Sequence, residues 1–187
     1  DKALVVGSIS KPVTLDGFDT YSVDMFCPTG KQAYRFRVES SSAPVSGGFP
    51  ADVVIEGREK AYFIRYVEPG SYFIARQAVD ITNTFTTYTF GQRGQLTERV
   101  DLQAGDVVYL GEHEFVPLHD SEFFLWRDVV APEYRIRNAA EEDRRALESL
   151  YPGFDWDRMR NPGLELQDGN HELIEESDVW INPFGLY

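Results

Sequence analysis

Residues 105–119 read GDVVYLGEHEFVPLH, and Glu112-His113-Glu114 at their centre set two carboxylates beside an imidazole. Those are the groups that a divalent metal or a general acid–base pair would use. The partners His113 would need occur further on: His119 and Asp120 in PLHDSE, and His171 in DGNHE. A separate acidic pair, Asp155 and Asp157, flanks Trp156 in FDWDRMR, a combination also found where carbohydrates are bound or cleaved. A metal-dependent or acid/base hydrolase would draw on His113, His119 and Asp120, or on Asp155 and Asp157.

Spacing argues for a plainer reading. In a regular strand Val107, Tyr109, Gly111, His113 and Phe115 share one face, while Val108, Leu110, Glu112, Glu114 and Val116 share the other. His113 then falls in an apolar series and its two glutamates point the opposite way, so the three cannot converge on one ion. His119, Asp120 and His171 sit in loop-like segments without zinc-site spacing. The expectation is a core histidine with one hydrogen-bond partner, outward glutamates, and solvated Asp155 and Asp157 around a buried Trp156. No catalytic, cofactor or metal residue is assigned. The chain has no G-x-S-x-G, S-x-x-K, Walker or dinucleotide glycine pattern. Cys27 is the single cysteine, so no intrachain disulfide forms. It shares a face with Tyr21, Val23 and Met25 and reads as a small buried hydrophobe.

The elements that must position these residues are mostly strands. Period-2 segments separated by turn residues fill the first 137 positions. ALVVGSI (3–9) is apolar on both faces, as a central strand requires. AYRFRVE (33–39) turns Tyr34, Phe36 and Val38 inward and Arg35, Arg37 and Glu39 outward. KAYFIRYVEPGSYFIARQAV reads as a hairpin, with Glu68-Pro69-Gly70-Ser71 as a type II turn and Gly70 at positive φ. Further strands are expected at 83–90, in LTERVDL, and near 122–126 and 133–137. Helical periodicity then covers 139–151, with Asn138 as N-cap and Glu141 as its capping-box partner. Ala140, Leu147, Leu150 and Tyr151 form its apolar stripe, and Pro152-Gly153 ends it.

The expected fold is therefore mainly β: an antiparallel β-sandwich, or a partly closed barrel, with one C-terminal helix. One domain spans 1–153, and an ordered acidic extension with aromatic residues, 154–187, packs on it. Arg35, Arg37, Arg65 and Arg76 are candidates to hold that extension through its acids.

Composition narrows the partners. The chain has 187 residues, 31 acidic against 18 basic, and a formal charge of −13. Such a surface repels nucleic-acid backbones and anionic lipid. From Glu141 onward the net is −8, the signature of a solvated face. No apolar run reaches the roughly 18 residues of a spanning helix.

ALVVGSIS, EPGSYFIARQAV, VDLQAGDVVYLGEHEF and YRIRNAAEEDRRALESLYP together resemble a group of bacterial envelope proteins, mostly predicted lipoproteins of unknown function. The resemblance implies a prealbumin-like β-sandwich, a periplasmic or membrane-anchored address, and a lipid anchor upstream of Asp1. It carries over no catalytic residues and no cofactor. Its expected role is a non-catalytic extracytoplasmic module that binds a protein, glycan or small ligand.

Overall fold

Alternating apolar and polar side chains commit most of this chain to strands, which the computed structural model arranges in two sheets stacked face to face. It describes residues 1–13, 20–40, 49–82, 87–92, 99–116, 132–164, 171–172 and 174–175. In chain order the elements are β1 (Ala3–Pro12), β2 (Thr20–Cys27), β3 (Gln32–Glu39), β4 (Val53–Ile55), β5 (Arg58–Val67), β6 (Gly70–Thr82), β7 (Thr87–Gln92), β8 (Arg99–Leu102), β9 (Val107–Val116) and β10 (Glu133–Arg137). They are followed by helix α1 (Ala140–Leu150), a 3₁₀ turn at Trp156–Arg158, and the short strands β11 (Met159–Arg160), β12 (His171–Glu172) and β13 (Ile174–Glu175). The expected strand near 122–126, and residues 83–86 of the expected 83–90 strand, lie outside the described residues.

The first sheet runs β12-β10-β9-β1-β5-β4, with β11 also pairing with β9; the second runs β13-β7-β6-β2-β3, with β8 also on β6. β1 occupies the centre of the first sheet, antiparallel to β5 and parallel to β9. That placement explains why it is apolar on both faces. The result is a two-sheet sandwich rather than a barrel, capped by α1 on the outer face of the first sheet.

Between the sheets, Val5, Ile9, Val108, Leu110 and Phe115 of the first meet Tyr21, Val23, Met25, Phe36, Ile74 and Val79 of the second. Cys27 belongs to this core, as its parity indicated. Its thiol titrates below its usual value: burial pushes it up, but the Thr29 hydroxyl and nearby backbone N–H groups outweigh that. A smaller cluster of Leu4, Val6, Val107, Leu147 and Trp156 lies on the outer face, beneath α1. Burying either set removes apolar area from water at about 25 cal/mol per Å².

Two local expectations fail here for identifiable reasons. The segment 60–79 is not a hairpin. β5 pairs with β1 and β4 while β6 pairs with β2, β7 and β8, so Glu68-Pro69 carries the chain from one sheet to the other. Gly70 is absent from the positive-φ glycines and begins β6, so the type II turn is not formed. The crossing is fixed instead by two tyrosines: Glu68 N–H donates to Tyr34 Oη at 3.1 Å, and Tyr72 O–H donates to the Glu68 carbonyl at 2.7 Å. The second correction concerns α1. Its N-cap is Ala139, with no side-chain cap, because Asn138 Oδ1 accepts from Asn161 Nδ2 at 2.7 Å. Ala140 and Leu147 are buried as expected, whereas Leu150 and Tyr151 are exposed.

Part of the C-terminal extension is woven into the sheets. β11 pairs in parallel with Val107–Val108, β12 antiparallel with β10, and β13 antiparallel with β7. Arg158 donates to the Gly105 carbonyl at 3.1 Å and Arg160 to the Asp101 carbonyl at 2.8 Å. Among the described residues, Arg35, Arg37, Arg65 and Arg76 have partners in the sandwich itself. Arg35 makes a bidentate pair with Asp24 at 2.7 and 2.8 Å, Arg76 lies 3.8 Å from Asp24, and Arg37 is 3.0 Å from Glu39. Arg65 donates to the Arg35 carbonyl at 3.2 Å, blunting the β3 edge.

Candidate functional site

The decisive local feature is a bulge in β9. Val6 is opposite Tyr109, but Ser8 is opposite Glu112, so one extra residue of β9 is accommodated between them. Gly111 supplies it, at φ +97°. A Cβ there would lie 2.7 Å from Ile136 Cγ2, so both the conformation and the space demand glycine. The bulge exchanges the faces of the strand midway along it. Val108 and Leu110 point into the sandwich before it, and His113 and Phe115 after it. The uninterrupted parity that placed Val107 and Tyr109 with His113 is therefore wrong. Tyr109 instead shares the outer face with Glu112 and Glu114.

That outer face is not solvated. Glu112 and Glu114 are opposite His113 as expected, yet both are buried, because α1 and the arginines of β5 and β10 cover them. Lys60 of β5 is fully buried at the centre of the cover. Its Nζ is 2.9 Å from Glu112 Oε2 and 2.9 Å from Asp143 Oδ1, and it also contacts Glu142 Oε1. Asp143 further accepts from Ser8 Oγ at 2.8 Å, Tyr62 Oη at 3.0 Å and Tyr109 Oη at 2.5 Å. Glu112 accepts from Ser10 Oγ at 2.7 Å, Arg58 Nε at 3.1 Å and Arg137 at 3.3 Å. Arg135 closes the series on Glu114 at 2.7 Å.

Electrostatics keeps Lys60 and Glu112 ionised. Burial pulls the Lys60 ammonium down, but Asp143 and Glu112 outweigh it, and its pKa ends above the ordinary value. Burial pushes Glu112 up, but Lys60, the Ser10 hydrogen bond and Arg137 hold it below the ordinary carboxylate range. Burial and the Asp143 charge raise Tyr62 and Tyr109, so neither phenol ionises near neutrality. Each buried charge thus has an opposite charge and hydrogen-bond donors or acceptors, the condition for keeping ions in an interior.

His113 occupies different surroundings. It lies wholly between the sheets, and burial drives its pKa down to about 3. Nδ1 is 2.6 Å from Tyr134 Oη, and the two rings stack. Tyr134 is one partner, and a hydrogen bond to the Leu110 backbone adds a second where one was expected.

The remaining sequence candidates do not join it. Asp155 and Asp157 are exposed around a buried Trp156, and Asp157 pairs with Arg144 at 2.8 Å. His119 and Asp120 lie outside the described residues, as does the side chain of His171, whose backbone pairs with Tyr134. Among the described residues, no group of three or more His, Cys, Asp or Glu side chains could hold a metal ion.

Sequence reasoning missed Lys60 and Asp143, although a signal for Asp143 existed. Ala140, Asp143 and Leu147 recur at the spacing of one helix face, which puts an acid in the middle of the buried stripe. Ser8 and Ser10, polar residues in an otherwise apolar central strand, mark where that acid docks.

Beside the cluster, the start of α1 and the 156–161 segment enclose a groove of about 710 Å³. Trp156, Met159, Ala139 and Ala140 supply its apolar lining, and Arg137, Arg144, Arg145, Glu141, Glu142 and Asp157 its charges, in equal numbers of each sign. Asn138 and Asn161 contribute uncharged donors and acceptors. A surface of this kind suits a polar partner of balanced charge better than a polyanion or an apolar ligand.

Comparison with protein-family models, curated proteins and solved structures finds no match to this chain.

Proposed function

We propose that this chain is a non-catalytic binding module of the bacterial cell envelope, presenting the α1 groove to a glycan or peptide partner. The observation that carries the reading is the division of its polar side chains. Those that are buried under α1 are committed to one another, while beside them partly or fully exposed polar side chains of both charge signs line a groove. Catalysis by acid–base or nucleophilic chemistry needs a group with perturbed reactivity facing a reactant. Here Lys60 is held protonated, Glu112 ionised, and His113 neutral inside the core. A rigid sandwich that positions a groove with spent charges beneath it is organised to bind.

The address follows from the resemblance of the β1, β6 and β9 segments to envelope proteins. With it comes the expectation of a periplasmic or lipid-anchored protein. No helix among the described residues is long and apolar enough to cross a membrane.

The test is site-specific photocrosslinking in the native host with the full chain. A diazirine amino acid at Arg145, exposed beside the groove, should give adducts in the envelope fraction. The same probe at Val54, 62% exposed on the edge strand β4 and not part of the groove lining, should not. Recovery in the cytosolic fraction, or equal labelling at both positions, would sink the reading.

A further inference from the structure

We infer that the outer edge of β5, beyond the end of β4, takes an extended peptide of a partner protein as an added strand. β1 pairs with β5 along its whole length, Arg58–Val67, whereas β4 covers only Arg58–Lys60 on the other side. The chain leaves that lane at Asp52. Ala51 N–H donates to the Phe49 carbonyl at 2.8 Å, and Phe49 packs in the core against Tyr21. Asp52 also marks which β5 groups face outward: its N–H donates to the Lys60 carbonyl at 2.7 Å, and its carboxylate accepts from Tyr62 N–H at 2.7 Å. Alternation turns the backbone N–H and C=O of Ile64 and Tyr66 the same way, and among the described residues nothing pairs with them there. Arg65 and Tyr66 are exposed, Tyr66 by 63%.

A bare strand edge beside an exposed aromatic is a template for strand addition, which proteins otherwise cover or charge. Side chains set what fits. A strand antiparallel to β5, as β4 is, continues the lane of β4 and places successive residues opposite Tyr66, Arg65, Ile64, Phe63 and Tyr62. Arg65 is the one charged residue of that stretch, and among the described residues it meets no carboxylate. Its guanidinium donates to the Arg35 carbonyl at 3.2 Å and lies over the Tyr34 ring, 5.6 Å from the centroid. The peptide therefore carries an acid opposite Arg65 and apolar residues beside Ile64 and Tyr66. A second copy of this chain fits less well. Two copies at −13 each repel, and β5 paired with itself about Ile64 sets Phe63, not an acid, opposite Arg65. The edge is separate from the α1 groove, whose lining includes no residue of β5.

Amide hydrogen exchange on the isotope-labelled full chain tests this, with a blocked pentapeptide reading tyrosine, glutamate, valine, valine, threonine as the probe. In the free protein the N–H groups of Ile64 and Tyr66 should exchange fast, while those of Phe63 and Arg65, directed at β1, exchange slowly. Millimolar peptide should slow Ile64 and Tyr66. Replacing its glutamate by lysine should weaken binding about two- to fivefold, the worth of a cross-strand charge pair. Methylating the nitrogen of its first valine, which faces the Ile64 carbonyl, should abolish binding. Ile64 and Tyr66 as protected as Phe63 in the dilute free protein would show a covered edge and overturn the inference. So would unchanged exchange with peptide, equal binding of the methylated peptide, or protection that grows with protein concentration alone, which would mark a second copy as the occupant.

Discussion

At the scale of single residues, the chain spends its ionisable groups in two opposite ways. His113 is buried by becoming neutral, whereas Lys60 is buried by being surrounded. Removing one member of a surrounded set leaves the others uncompensated in a poor dielectric, and that penalty exceeds the net worth of the intact set. Lys60→Met should therefore destabilise the protein by roughly 3–5 kcal/mol, because Glu112 and Asp143 lose their shared cation. Replacing all three by apolar residues of similar size, as Lys60→Met/Glu112→Leu/Asp143→Leu, should recover part of that loss. Urea titrations of the single and triple variants measure both. A triple variant worse than Lys60→Met would mean that the cluster contributes net stability rather than specificity of docking. Little of this cluster could be read in the sequence, because Lys60, Glu112 and Asp143 are scattered over β5, β9 and α1. Their pairing is a property of sheet order, and a single chain does not display sheet order.

At the scale of elements, β9 shows how one residue redirects chemistry. Strand period alone assigned His113 to the interior and the glutamates to the other face. The Gly111 bulge leaves that half of the strand intact but inverts the half before it, which brings Tyr109 out to Asp143. A glycine inside a strand is a signal for such a bulge, and its meaning here emerges only from the parallel partner β1. The β5–β6 crossing was misread for a related reason: Pro-Gly between two strand-like runs is hairpin chemistry by composition, whereas the sheet each strand joins is set by nonlocal partners. By contrast, β1 was legible as a central strand because it is apolar on both faces, and the Phe36–Val38 end of β3 because its burial follows its own alternation. Gly111→Ala should cost roughly 1–3 kcal/mol from the forced positive φ, with the Ile136 contact adding to it. Differential scanning calorimetry should show a clearly lower Tm. An unchanged Tm would mean that the strand re-registers without the bulge, and loss of the Tyr109 contact to Asp143 would then be visible in the tyrosine spectrum.

At the scale of the whole molecule, the shifted groups define a pH window. His113 is depressed to about 3 in the folded chain from an ordinary 6.5. Between those values the unfolded chain takes up a proton that the folded chain refuses, so stability is complete above about 6.5 and falls with pH, by about 1.4 kcal/mol per unit. Glu112 is also depressed, so its contribution is present above the ordinary carboxylate value of 4.5 and is lost as pH drops through its lower folded value. Lys60 has the opposite sign. Its folded pKa is raised above 10.5, so its contribution is present below that value and lost as pH climbs through the folded one. Tyr62 and Tyr109 are raised as well and reinforce the alkaline loss. Stability measured by urea unfolding should thus form a plateau from about pH 6.5 to 10, with a slope on either side. In His113→Phe the decline between pH 6.5 and 4.5 should flatten while the steeper loss below 4.5 remains, since Glu112 is untouched. An acid limb identical to the wild type would show that His113 is protonated in the folded protein. The interior position that the Gly111 bulge gives it would then have to be abandoned.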